Sequence, residues 1–257
     1  MIVSLLIGRK GSQGFPKKNL IRIKNKYIFE YPMIASKKSK IIDKIYVSTD
    51  CPVISKVCKK KYNATIINRP KYLSNNKALG DDAFKHGYKK ILLLNKKNKN
   101  RIKFIILLFA NGATINHQLI LKGVNFLKKN PSFDSAVTVS RYNMWSPLRA
   151  RKVAKDGSLK PFVPFKTFGN PKTLNCDRDS QGDVLFADMS VSVIRPKCLE
   201  NMKDNLLPQK WMGKKIAPIY SEAGFDLDYE WQLPQLEYWI KNNLWKKFTK
   251  NIIALLV

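Results

Sequence analysis

Three groups of residues in this chain have the types and spacing for chemistry on a phosphorylated ligand. The first is Ile7-Gly8-Arg9-Lys10-Gly11-Ser12-Gln13-Gly14-Phe15-Pro16-Lys17-Lys18-Asn19, which follows an apolar run beginning at Met1. Glycines at 8, 11 and 14 let a backbone turn tightly and bring its N–H groups close to a ligand. Arg9, Lys10, Lys17 and Lys18 place positive charge around that backbone. A buried strand running into a glycine-rich cationic loop is one way in which α/β proteins hold phosphate. Neither a Walker A ending in Gly-Lys-Ser/Thr nor the paired glycines of a dinucleotide turn is present, and a basic surface turn is an equal alternative for the loop alone.

The second group comprises Ser48-Thr49-Asp50, Asn68-Arg69-Pro70 and Ala110-Asn111-Gly112, each at the end of an apolar stretch. The third is Gly224-Phe225-Asp226-Leu227-Asp228. Residues two apart in an extended segment point the same way, so Asp226 and Asp228 converge. Paired carboxylates suit Mg²⁺ beside a nucleotide's phosphates. Each residue also has a plainer reading. Asp228 could cap the next helix, Asp226 could be a surface acid, Arg69 and Asp50 could be turn residues, and Asn111 could close its strand through an Asx turn. Their joint placement at strand ends favours a site, because ligands of open α/β sheets bind at the carboxyl ends of the strands.

The elements that must position these groups alternate. Strands are predicted at Met1 to Ile7, Lys44 to Asp50, Ala64 to Ile67, Phe104 to Leu108, Ser135 to Val139, Met189 to Ile194 and Lys215 to Ile219. Helices are predicted at Pro32 to Ile42, Val53 to Tyr62, Leu79 to Leu94, His117 to Lys129, Tyr229 to Asn242 and Leu244 to Val257. The unbroken apolar run Phe104 to Leu108 is the signature of a central parallel strand. This order predicts an α/β fold with a doubly wound, mostly parallel, Rossmann-like sheet in a single domain over 1–257. The alternation breaks over 143–183, which carries Pro147, Pro161, Pro164 and Pro171. Asp156-Gly157 there signals a two-residue hairpin between Arg151-Lys152-Val153 and Leu159-Lys160-Pro161. Such an excursion reads as a lid or a dimer arm.

Composition narrows the partners. Lys and Arg number 48 against 18 acids, a net charge of +30, which taken alone predicts a polyanion partner. The lysines, however, occur in small groups along the whole chain, with no basic block interleaved with aromatics, so a solvated cationic surface without specific nucleic-acid binding is expected. The four cysteines form no Cys-x-x-Cys pair and the two histidines are His86 and His117, so no zinc cage is expected. Reduced thiols, no signal-peptide pattern in Met1 to Ile7 and no apolar stretch of membrane-spanning length predict a cytoplasmic protein with no membrane partner.

The motifs together resemble the acylneuraminate (nonulosonate) cytidylyltransferases, or CMP-sialic acid synthetases, from Ile2 to about Trp239. That family opens with a strand and Ala-Arg-x-Gly-Ser-Lys-Gly-x-Pro-x-Lys-Asn, against Gly8 to Asn19 here. Ser48-Thr49-Asp50 matches its second-strand motif, Arg69-Pro70 its third and Asp226-Leu227-Asp228 its metal-binding Asp-x-Asp. The resemblance implies a nucleotidyltransferase that joins CTP to a nine-carbon 2-keto acid sugar of the neuraminic, legionaminic or pseudaminic acid type. The products would be a CMP-sugar for cell-surface polysaccharide and pyrophosphate, with Mg²⁺ as cofactor and a homodimer as the assembly. It implies that Arg9 and Lys18 bind the triphosphate together with Gly8, Gly11, Ser12 and Gln13. Asn19, Arg69 and Asn111 would serve the nucleotide, Asp226 and Asp228 the metal, and Arg178, with Arg151 behind it, the sugar carboxylate. Gln13 stands where the family has a lysine, Ala110 to Ile115 replace its Gln-Pro-Thr-Ser-Pro-Leu-Arg motif, and Gly8 replaces its alanine. Alternative readings are a homologue that binds nucleotide with weakened or no turnover, and a cytidylyltransferase for another sugar acid such as Kdo.

Overall fold

The computed structural model describes residues 1–11, 14–96, 102–175, 177 and 181–242. Ser12, Gln13, Arg178 and the helix expected over 244–257 therefore lie outside the described residues. Among the described residues, eleven strands run in chain order. They are β1 (Ile2–Gly8), β2 (Arg22–Ile23), β3 (Lys26–Tyr27), β4 (Lys44–Thr49), β5 (Thr65–Asn68), β6 (Phe104–Phe109), β7 (Ser135–Arg141), β8 (Arg151–Val153), β9 (Leu159–Pro161), β10 (Leu185–Ile194) and β11 (Ile216–Ser221). The α-helices are α1 (Glu30–Lys38), α2 (Pro52–Tyr62), α3 (Gly80–Leu94), α4 (His117–Lys129), α5 (Lys197–Glu200) and α6 (Leu233–Asn242).

Seven strands form one sheet in the order β11-β7-β10-β6-β1-β4-β5. β1 pairs in parallel with both β4 and β6, β4 with β5, and β11 with β7. Only β10 runs against its neighbours, β6 and β7. The chain winds outward from β1 through β4 to β5, then returns to lay β6 on the other side of β1, so the topological switch lies between β1 and β6.

Strand alternation supplies a core on each face. Leu6, Val47, Ile106 and Leu108 pack against Met33 of α1, Ile54 of α2 and Leu119 and Val124 of α4. Val3, Leu5, Ile7, Ile105 and Leu107 face the other way, onto Phe84, Tyr88 and Ile91 of α3 and onto Trp211 and Met212. Both faces are covered by helices, which is why the central strands read as continuous apolar runs. A smaller third core gathers Ile23, Ile28, Ala113, Leu227, Leu236, Trp239 and Ile240 beside the carboxyl ends of the strands.

The expected doubly wound, mostly parallel sheet is thus present, as is the β8–β9 hairpin, with Gly157 at φ 78° in its turn. Some boundaries differ. α1 starts two residues earlier than Pro32 and stops at Lys38, with Lys40 at φ 56° just beyond it. α6 begins at Leu233 after a 3-10 turn at Glu230–Gln232. The short β2–β3 hairpin was not anticipated; its turn residues Lys24 and Asn25 both take positive φ, which a lysine does not advertise. β10 starts at Leu185, because its first residues pair with the end of β7 across an irregularity that no alternation pattern marks.

Candidate active site

The loop after β1 and the turn after β6 meet across the topological switch. Gly8 ends β1 with no room for a side chain, since a Cβ there would lie 2.6 Å from Cβ of Ala110. Gly14 is constrained less severely: a Cβ would lie 3.0 Å from the Asp228 carbonyl oxygen. Gly11 has open space around it. The left-handed residue of the described loop is Lys17, at φ 57°. The expectation for Gly8, Gly11 and Gly14 was tight turning and close approach to a ligand; at Gly8 and Gly14 the chain also packs closely on other segments, on the Ala110 side chain and the Asp228 carbonyl.

The strand ends hold this loop. Asp50 after β4 accepts a hydrogen bond from the Lys10 N–H at 2.8 Å. Asn19 is buried and donates to the Arg9 carbonyl at 3.2 Å, while its side-chain oxygen has no partner in the described structure. The Arg9 guanidinium donates to the Asn75 carbonyl. Arg69 is buried rather than being a surface turn residue; its Nε donates to the Leu73 carbonyl at 2.7 Å. Burial lowers the Arg69 pKa, with the charge of Asp50 opposing and that of Arg9 adding to the effect. Arg69 remains a guanidinium cation under such a shift, since arginine is not deprotonated in proteins.

The acidic segment follows from its alternation. Leu227 is fully buried in the third core, so Asp226 and Asp228 project to the opposite side. The Asn111 amide spans both, donating to Asp226 Oδ2 at 3.1 Å and to Asp228 Oδ1 at 3.4 Å. Backbone pairing locks the arrangement, with the Leu227 N–H on the Asn111 carbonyl at 3.0 Å. Burial raises the Asp226 pKa, and the nearby Asp228 charge raises it further against the opposing charge of Lys18. Lys18 itself is ion-paired to Asp228. Asp228 is not a helix cap: Gln232 instead reaches back to accept from the N–H groups of Asp228 and Tyr229, both at 2.8 Å.

These residues enclose a cavity of about 360 Å³, lined by Gly8, Arg9, Gly14, Lys18, Asn19, Arg69, Asn111 and Asp228 among others, including Ala78, Gly80, Phe109 and Tyr229. Its size is that of a small-molecule site. The last four were missed in the sequence. Gly80 opens α3 with Trp211 and Phe109 within 3.7 Å of where its side chain would stand. Phe109 packs edge-on against Phe84, which packs edge-on against Trp211, so the cavity floor rests on the second core. A glycine at a helix start and an aromatic at a strand end are weak signals individually.

A second cavity of about 370 Å³ adjoins the same segment, lined by Tyr142, Met144, Trp145, Phe186, Asp188, Phe225, Asp226, Trp231 and Gln235 among others. Asp228 lines the first cavity and Asp226 the second, so the acid pair and the Asn111 amide form the boundary between them. Arg151 lines neither. It is exposed on the hairpin, with its guanidinium on the Leu148 and Ala150 carbonyls and over the Phe165 ring.

Among the described residues no cluster of three or more His, Cys, Asp or Glu side chains forms a metal cage. Mg²⁺ does not require one: it commonly takes one or two carboxylates, waters and substrate phosphates. Two acids sharing one amide at the mouth of a cationic cavity fit that donor set. No helix among the described residues is long and apolar enough to cross a membrane.

Known proteins resemble this chain in sequence or in fold. A pseudaminic acid cytidylyltransferase and UDP-2,4-diacetamido-2,4,6-trideoxy-beta-L-altropyranose hydrolase of Helicobacter pylori is 24% identical over 172 residues, covering 66% of this chain and 31% of that protein. An N-acylneuraminate cytidylyltransferase of Escherichia coli is 28% identical over 85 residues, 33% of this chain and 20% of that one. The matched stretch thus spans less than a third of either curated relative. Among solved structures, a CMP:2-keto-3-deoxy-manno-octonic acid synthetase complexed with CTP superposes with a TM-score of 0.62 at 13% identity, covering 95% of this chain and 99% of its own. A 4-diphosphocytidyl-2C-methyl-D-erythritol synthase of Anaerococcus prevotii gives 0.61 at 13% identity, covering 93% and 96%. These two likenesses concern the fold. The family model described as cytidylyltransferase matches residues 3–210, a span that contains the first loop, Arg69 and Asn111, and the chain belongs to that family.

Proposed function

We propose that this chain transfers the CMP moiety of CTP to a nonulosonic acid, releasing pyrophosphate. The observation that carries this reading is the position of the acid pair between two cavities, one cationic and one rich in aromatics. A transferase needs a donor site and an acceptor site that meet at the reacting centre, so that positioning replaces a chance encounter.

The cationic cavity suits the nucleotide. Arg9, Lys18 and Arg69 face a triphosphate, and the unpartnered Asn19 oxygen is free to accept from a ribose hydroxyl or a base amine. Asp226 and Asp228 would hold Mg²⁺, which when bound supplies charge neutralisation at the reacting phosphate and favours loss of the acceptor's hydroxyl proton. Lys18 neutralises Asp228 and lines the same cavity, within reach of a triphosphate that enters. In-line transfer to phosphorus requires mainly alignment and charge stabilisation, both of which fixed cations supply.

The second cavity suits the acceptor. Its aromatic walls fit a sugar's apolar faces and acyl groups, and Asp226 stands at its inner end. The curated relatives, named for pseudaminic acid and N-acylneuraminate, support a nonulosonic acid there. Arg178 and Arg151 would reach the carboxylate of an acceptor bound to the partner subunit of a homodimer. The exposed apolar side chains Val153, Leu159 and Phe162 on the hairpin arm support that assembly. Buried, unpaired Cys51, Cys58 and Cys198 support a cytoplasmic setting.

The test is incubation with CTP, Mg²⁺ and a panel of neuraminic, legionaminic, pseudaminic and eight-carbon keto acids, with pyrophosphate release and CMP-sugar mass as readouts. Release with a nine-carbon acid is expected. Folded protein that releases none with any acid would overturn the proposal, and release with the eight-carbon acid alone would reassign the substrate.

A further inference from the structure

Asp188 is a buried carboxylate on the wall of the second cavity, with no part assigned to it in the proposed reaction. It sits in β10 at a bulge, where the pairing with β7 jumps from Ala187↔Val139 to Ser192↔Val137. The extra residues on β10 include Met189, at φ 59°. Bulges re-aim side chains and concentrate beside active sites. This one turns Asp188 inward, where it is 4% exposed.

Its two oxygens are fully engaged. Thr138 Oγ1 donates to Oδ1, as does the Ser190 N–H at 3.0 Å, and Ser140 Oγ donates to Oδ2 at 2.8 Å. The Ser140 hydroxyl points its hydrogen toward Asp188 Oδ2 and leaves its lone pairs outward. Those lone pairs accept from the Gly224 N–H at 2.8 Å. Gly224 begins the segment that carries Asp226 and Asp228. The same bulge makes a second attachment: Ser190 Oγ lies 2.9 Å from Thr114 Oγ1, which accepts from the Phe225 N–H at 3.0 Å. A third is steric, since a Cβ on Gly112, beside Asn111, would lie 3.0 Å from the Met189 carbonyl oxygen. One on Gly224 would overlap Asp188 itself.

We infer that Asp188 is a positioning residue. Through Ser140 it sets the height and direction of Gly224, and with the rest of the bulge it holds the Asn111 turn and the Asp226–Asp228 segment in register. The inference rests on reading Asp226 and Asp228 as reaction carboxylates, but the attachment itself is measurable without turnover.

The variants are Asp188→Asn, which presents an amide donor to one of three hydrogen-bond donors, and Ser140→Ala, which removes only the relay to Gly224. Hydrogen exchange of the amides from Gly224 to Asp228 should rise at least tenfold in each, while β1 and β6 amides keep wild-type protection. Turnover should fall roughly tenfold to a hundredfold, as expected for reacting groups displaced by about 1 Å. KM for CTP should stay within about twofold, because Arg9 and Arg69 are untouched. If Asp188→Asn does not fold, Ser140→Ala decides alone. Unchanged exchange and full turnover in a folded variant would overturn the proposal, as would exchange rising equally throughout the sheet. Segment exchange that rises in a protein whose wild type never turns over would uphold the attachment and sink the proposed reaction instead.

Discussion

Lys18, at the end of the first loop, is ion-paired to Asp228, 210 residues further along the chain. The contact lies on the cavity wall and keeps two neighbouring acids from facing each other unneutralised. Lys18→Ala should therefore damage two functions at once. Pyrophosphate release with CTP should fall at least a hundredfold, the scale of losing one transition-state charge contact. Lys18→Arg, which keeps the charge but not the compact ammonium, should recover only part. Steady-state kinetics on both variants checks this.

Asp228→Asn separates a metal ligand from a structural acid. The side chain is half exposed and makes no cap, and its backbone N–H is already bonded to Gln232. Thermal stability should change by no more than about 1 kcal/mol, the usual worth of an exposed ion pair. Turnover should be abolished. A melting curve and an activity assay on the same preparation make the comparison, and a large loss of stability would contradict the assignment.

The glycines of the loop should behave differently from one another. Gly8→Ala forces a methyl against Ala110 and should cost about 1–3 kcal/mol, as other overpacked cores do. Gly14→Ala pushes on the Asp228 carbonyl and should raise KM for CTP with a smaller loss of stability. Gly11→Ala meets nothing and should leave stability within about 0.5 kcal/mol of wild type. Denaturant unfolding of the three variants tests that order.

Glu30 offers a pH test remote from the site. Its buried carboxylate accepts from the Tyr27 N–H and Lys61, each at 3.0 Å, and from the Tyr62 hydroxyl at 2.9 Å. Burial alone would raise its pKa, but these bonds and the Lys61 charge outweigh it and hold the carboxyl below the ordinary glutamate range. A folded-state value below the unfolded one means stability that is present above the unfolded pKa and lost as pH falls through the folded one. Glu30→Gln should thus be less stable by about 1–3 kcal/mol at neutral pH. Its deficit should shrink as pH falls through and below the ordinary glutamate range. Urea unfolding of both proteins across that range provides the check.

The order of strands and helices was legible in the sequence because it is written in local periodicity. β1 and β6 announce themselves as buried runs, and the β8–β9 hairpin as Asp156-Gly157. The convergence of Asp226 and Asp228 was also readable, since a buried Leu227 between them obliges both to face the other way. Arg9, Asn19, Arg69 and Asn111 could be nominated as strand-end residues because in such a sheet the carboxyl ends share one edge.

What the tertiary structure alone decided is which of these groups touch. Nothing local ties Lys18 to Asp228, or lets the Asn111 amide reach both acids; those contacts follow from the switch between β1 and β6. That Gly8 packs against Ala110 and Gly14 against the Asp228 carbonyl is likewise decided by distant segments. Asp188 had no signal, being one acid in a strand whose meaning depends on Ser140 and Gly224. Side-chain pattern is a property of neighbours in sequence. The division of the site into two cavities is a property of neighbours in space, and only the folded sheet brings them together.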